Sequence, residues 1–113
     1  MRKTDKKIDN QIRAKLTDVC ELALKEYSGF QWLTHLVNYS NFPKSLQIIC
    51  VFDSNESLTN FKADNSEQIL LALIEKNLIQ LNINLNNIKK HIRFDTEENC
   101  IKSHNGNWAK RLC

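Results

Sequence analysis

The stretch that most constrains this chain is Gly29–Asp53, GFQWLTHLVNYSNFPKSLQIICVFD. Two β-branched and aromatic segments stand either side of a short loop around Pro43, the only proline. Runs of this kind read as strands, and the six residues Ser40–Ser45 suit a longer hairpin connection rather than a two-residue turn. Strand one is expected over 30–39, with Phe30, Trp32, Thr34 and Leu36 on one face and Gln31, Leu33, His35 and Val37 on the other. Strand two is expected over 46–52. Neither alternates cleanly between apolar and polar, so both faces of the hairpin are expected to be partly covered.

Around the hairpin the periodicity is helical. Ile8, Ile12, Leu16, Val19 and Ala23 recur at three- and four-residue steps, which predicts an amphipathic helix over 5–27, capped by Thr4 or Asp5 and stopped at Ser28-Gly29. After the hairpin, Asp53 or Ser54 caps a short helix carrying Leu58 and Phe61. Asp64 and Glu67 have capping-box spacing ahead of a helix over 66–81. A third strand is expected over 90–94, with Ile92 and Phe94 inward. Asp95 and Glu98 then open a last helix that ends near Asn105-Gly106.

The order is helix, strand, strand, helix, helix, strand, helix. It predicts a single α+β domain over residues 1–113, with helices packed on a small three-stranded sheet and residues 1–4 and 109–113 frayed. A length of 113 residues suits one domain.

Several function classes are excluded. Gly29 and Gly106 are the only glycines, so there is no P-loop, no dinucleotide-binding fingerprint and no nucleophile elbow. The carboxylates Asp95, Glu97 and Glu98 near His91 are accounted for by helix capping. An enzyme is therefore not expected, and no cofactor is called for. Cys100 and His104 lie four apart on one helix, with His91 and Cys113 nearby in sequence, and Zn²⁺ takes such ligands in fours. The paired knuckles that build structural zinc sites are missing, so no metal is expected. Cys20 and Cys50 read as core residues. With no apolar run of membrane-spanning length and no secretory h-region, a cytoplasmic protein without a membrane partner is expected. His35, among apolar neighbours, reads as a hydrogen-bonded strand histidine.

Charge gives the strongest functional lead. Residues 1–15 carry six cations and two anions, residues 16–88 four and eight, and residues 89–113 six and three. One basic group is Arg2, Lys3, Lys6, Lys7, Arg13 and Lys15. The other is Lys89, Lys90, Arg93, Lys110 and Arg111, with Trp108 as an aromatic on which a base would stack. RNA or the ribosome is the expected partner. A protein-interaction module, or a homodimer through an open sheet face carrying Trp32, is the alternative.

The order of elements over residues 5–94 resembles a type II KH domain, in particular ribosome-binding factor A. The break Ala63-Asp64-Asn65 stands where that family kinks, with Asn65 as the expected left-handed residue, and HIRFD at 91–95 is similar to its third strand. The resemblance implies RNA or ribosome association; no G-x-x-G is present, so the backbone clamp of ordinary KH domains is not implied. The segments MRKTDKKIDNQIR, GFQWLTHLVNY, FDTEENC and NGNWAKRL are also similar to a small bacterial family labelled Fis-type transcriptional regulators, a label that implies DNA association. The C-terminal third holds a strand and a helix with an acidic start, not the basic recognition helix such a mechanism uses.

Overall fold

The computed structural model describes residues 2–113. The elements are α1 (Lys3–Glu26), β1 (Phe30–Leu36), β2 (Gln47–Phe52), α2 (Asn55–Lys62), α3 (Ser66–Ile79), β3 (Ile92–Thr96), α4 (Glu97–His104) and α5 (Trp108–Arg111). Short 3₁₀ turns over Tyr39–Asn41 and Ile88–His91 complete the chain. The α+β architecture and the order of its elements match the sequence reading.

The sheet runs β1-β2-β3. β1 and β2 are antiparallel, and β2 and β3 are parallel, with Ile48 beside Ile92 and Phe52 beside Thr96. The core lies on one face. Ile48, Cys50 and Phe52 of β2 pack there with Phe30, Ile92 and the partly buried Phe94 and Leu33, beneath Ile12, Leu16, Val19 and Ala23 of α1. Phe61 of α2 and Leu70, Ile74 and Leu78 of α3 close the layer. Each such aliphatic side chain, fully removed from water, contributes about 1.5–3 kcal/mol. The opposite face carries the rows Trp32–Val51–Asp95 and Thr34–Ile49–Arg93. At Trp32 and Asp95 the C-terminal residues Trp108 and Arg111 cover it. Arg93 remains exposed.

Several local expectations are corrected. Phe30 and Trp32 do not share a face. The register shifts between them, so Phe30 pairs with Phe52 and Trp32 with Val51, and the extra residue turns Phe30 into the core. β1 stops at Leu36 because Asn38 caps the following turn, its side chain accepting from the Ser40 N–H. β3 begins at Ile92, two residues late, since residues 88–91 form a 3₁₀ turn held by His91 Nδ1 donating to the Leu46 carbonyl at 2.7 Å.

Asp95 is a buried strand residue, not a cap; Thr96 caps α4 by accepting from the Asn99 N–H. Glu98 accepts instead from the Asn55 N–H, at the first residue of α2. At α1 the cap position is Arg2, without a side-chain cap bond, and Asp5 pairs with Arg2 instead. Asn65 is not left-handed, with φ −80° and ψ 4°, and Asp64 meets the start of α3 through the Ser66 N–H. Of the terminal residues, Met1 lies outside the described residues, while Lys3 and Thr4 belong to α1.

Candidate functional site

A cleft of about 630 Å³ lies between α1 and β1. Asp9, Arg13, Leu16, Thr17, Cys20 and Glu21 line it from the helix. They recur at steps of one, three and four, so they form one flank of α1 beside its buried stripe. Five consecutive residues, Leu33 to Val37, line it from the strand side. Neighbouring strand residues point to opposite faces, so a cleft lined by all five reaches the backbone edge of β1 and not just one face.

Asp9 organises one end of this cleft. Its Oδ1 accepts from His35 Nε2 and from the Tyr39 hydroxyl, both at 2.8 Å, and its Oδ2 meets Arg13 at 3.0 Å. An ionised carboxylate only accepts, so His35 carries its proton on Nε2. The hydrogen bond from His35 is the largest influence on Asp9 and holds its carboxyl below the usual range. Burial, followed by the bond to Asp9, raises the Tyr39 phenol. His35 is thus a hydrogen-bonded strand residue, as its apolar neighbourhood suggested. Cys20 is eleven residues from Asp9, or about 16 Å along the helix, so the cleft's thiol and its Asp–His pair are apart.

The same end of the sheet gathers two of the basic clusters. The C-terminus of β1 and the N-termini of β2 and β3 meet there, since His35, Ile48 and Ile92 form one row. The outer strands of that row are about 10 Å apart. The 37–46 connection closes this end. Arg2 and Asp5 border it at Val37–Ser40, and His91 is bonded to it at Leu46. Arg2 therefore flanks one side of the connection, Lys89 and Lys90 precede His91 on the other, and Lys44 stands within it, while Lys3, Lys6 and Lys7 line a separate flank of α1 with Asn10, Gln11 and Ala14. With Arg93, all of these lysines and arginines are exposed. Lys44, isolated in sequence, was missed. Arg13 is tied to Asp9, and Lys15 donates to Gln80 at 2.7 Å. The aromatic residues at this end are Tyr39 and Phe42, with ring centroids 5.5 Å apart.

Trp108, Lys110 and Arg111 lie at the other end, over the opposite face. Trp108 meets Trp32 edge to face at 4.9 Å, and Glu97 accepts from both indoles, from Trp32 at 2.7 Å and Trp108 at 3.1 Å. Arg111 grips Asp95 with two bonds, 2.6 Å from Nε and 3.0 Å from the terminal nitrogen. Trp108 and Arg111 are structural in this arrangement, and Lys110 stays exposed.

No protein-family model, curated protein or solved structure matches the chain.

The four residues with metal-binding chemistry are not assembled. His91 precedes β3, whereas Cys100 and His104 follow it, and five strand residues span about 16 Å. Cys100 is buried, its thiol pushed up by burial, and His104 Nδ1 accepts from Arg111 at 3.3 Å. Cys113 is exposed. Among the described residues, no group of three or more His, Cys, Asp or Glu side chains is placed to hold a metal ion. Burial pushes the Cys50 thiol up to about 12, consistent with a core residue. No helix among the described residues is long and apolar enough to cross a membrane.

Proposed function

We propose that the protein is a non-enzymatic binding protein that contacts RNA through the basic end of its sheet. The observation that carries this reading is the exposure of Arg2, Lys44, Lys89, Lys90 and Arg93 at the loop end of the sheet, with Lys3, Lys6 and Lys7 exposed on a separate flank of the first turns of α1. Among the described residues Arg2 alone of these has a carboxylate partner, Asp5 at 3.5 Å, and the Arg2 side chain is itself largely in solvent. Clustered cations displace the counterions condensed on a phosphate backbone, and that release drives binding with little regard to sequence. Tyr39 and Phe42 supply aromatic surface beside them. The partly uncovered face at Thr34, Gln47 and Arg93 gives a polar floor next to the cations.

The test is retention on single-stranded RNA, and co-sedimentation with ribosomes, across a salt series. If about five of these cations meet phosphates, the slope of log K against log salt is about −3.5, and a fourfold rise in salt weakens binding about a hundredfold. Reversing Lys6, Lys7, Lys89 and Lys90 to Glu abolishes retention. Lys110→Glu, at the far end, leaves most of it. Binding that ignores salt, or that survives the fourfold reversal, overturns the reading.

A further inference from the structure

The outer edge of β1 is unpaired in the sheet order, and an exposed edge presents a row of backbone donors and acceptors that templates another strand. Protected edges use lysines, prolines, inward charges, bulges or very short strands. β1 has a bulge only at its start, between Phe30 and Trp32, and none of the others: it is seven residues, FQWLTHL, without Lys, Arg, Asp, Glu or Pro. The other edge strand, β3, is five residues and carries Arg93 and Asp95. The cleft beside α1 also leaves the β1 backbone reachable from Leu33 to Val37.

We propose that this edge pairs with β1 of a second copy, antiparallel about a two-fold axis at Thr34, to give a six-stranded sheet. The choice of a second copy over an unrelated strand rests on self-complementarity. A dyad at Thr34 sets Thr34 against Thr34, a favourable cross-strand pair. It sets Leu36, left 37% exposed in the monomer, opposite Trp32 of the other copy. No charge meets a like charge along the strands. On the cleft wall, Arg13 and Glu21 stand four residues either side of Thr17. Running antiparallel across the dyad, each copy of α1 brings Arg13 towards Glu21 of the other. Glu21 has no ion-pair partner within its own described chain. A closed isologous pairing uses each edge once and leaves none for further growth.

The experiment is sedimentation velocity and light scattering of the full chain from micromolar to sub-millimolar concentration. A concentration-dependent dimer is expected. Thr34→Lys puts two ammonium groups at the dyad and shifts the mass to monomer, weakening association at least tenfold. Thr34 is on the half-covered face, and circular dichroism checks that the variant is folded. Arg13→Glu weakens the dimer, and Arg13→Glu with Glu21→Arg restores it, a rescue that only cross-copy pairing of these two residues produces. A monomer at every concentration, or a dimer indifferent to Thr34→Lys and to the charge swap, overturns the proposal. A strand from another protein captured at this edge while the chain itself stays monomeric also overturns it.

Discussion

Arg111→Met isolates the contact that fixes the C-terminal turn to the sheet. Asp95 is 9% and Arg111 18% exposed at their side chains, and two charge-assisted bonds join them. Removing one partner of a buried pair costs about 3–5 kcal/mol, because the remaining charge stays desolvated. The residual exposure of Arg111 lets water reach Asp95, and the Thr96 N–H still donates to it at 2.8 Å, so about 2–3 kcal/mol is expected. With an unfolding entropy of about 2.1 cal/mol/K per residue, that lowers Tm by about 10 °C.

The pH dependence is a sharper readout than the size of the loss. Burial pushes the Asp95 carboxyl up, but the bonds from Arg111 and the Thr96 N–H outweigh it, and the net shift is below the ordinary 3.8. A carboxyl depressed in the folded state stabilises above its unfolded pKa and loses that contribution as pH falls through the folded value. The gap between wild type and Arg111→Met is therefore widest near neutrality and closes in acid below 3.8. Adding Asp95→Asn to Arg111→Met recovers part of the loss at neutral pH, since the stranded charge is gone. Thermal melts in a pH series measure all three. A loss under about 0.5 kcal/mol, or a gap that does not narrow in acid, would refute the account of a desolvated pair.

Two further substitutions test the ends of β1. Gly29 sits at φ +85°, and a Cβ there would run into Cβ and Oγ of Ser57, so Gly29→Ala costs about 3 kcal/mol or more in denaturant midpoint. A Gly29→Ala protein as stable as wild type would show that the β1–α2 approach is looser than described. Asp9→Ala strands the His35 and Tyr39 donors and costs about 2 kcal/mol, while Asp9→Asn, which keeps one acceptor, loses less. The Asp9 contribution is present above 3.8 and fades in acid, because its carboxyl is depressed in the fold; equal losses for the two variants would count against the hydrogen-bonded cluster.

What could be read from the chain divides by range. The stripe of Ile12, Leu16, Val19 and Ala23 and the apolar run of β2 are local patterns, and each formed the element its period implies. HIRFD alternates equally well over 90–94 or 92–96, and the choice is made by the parallel pairing of Ile92 with Ile48, forty-four positions away in sequence. Phe30 and Trp32 share a face under simple alternation, and a bulge separates them. The Asp9–His35–Tyr39 cluster joins residues 26 and 30 positions apart, with no short-range signature. In sequence Arg111 reads as a free tail cation and Asp95 as a cap; the buried Asp95 carboxylate pairs with Arg111 and gives both a different role.

The sheet has two unlike ends. At the carboxyl ends of the parallel strands β2 and β3, Asp95, Glu97 and Glu98 are each matched to a donor: Arg111, the two indoles, and the start of α2. Carboxylates so engaged leave little unsatisfied charge for a ligand to recognise. The opposite end carries exposed cations on the 37–46 connection, the 88–91 turn and the start of α1, where Asp5 is paired with Arg2 and Asp9 is enclosed by His35, Tyr39 and Arg13. The same fold thus neutralises one end internally and leaves positive charge exposed at the other. Antiparallel pairing through β1 would send the basic ends of two copies to opposite ends of the joined sheet, since the C-terminus of β1 lies at the basic end in each. The dyad at Thr34 shares the sheet row Thr34–Ile49–Arg93 with one of the exposed cations. The fourfold lysine reversal leaves Thr34, Arg13 and Glu21 in place, and Thr34→Lys leaves the four lysines in place, so the two tests read separate failures.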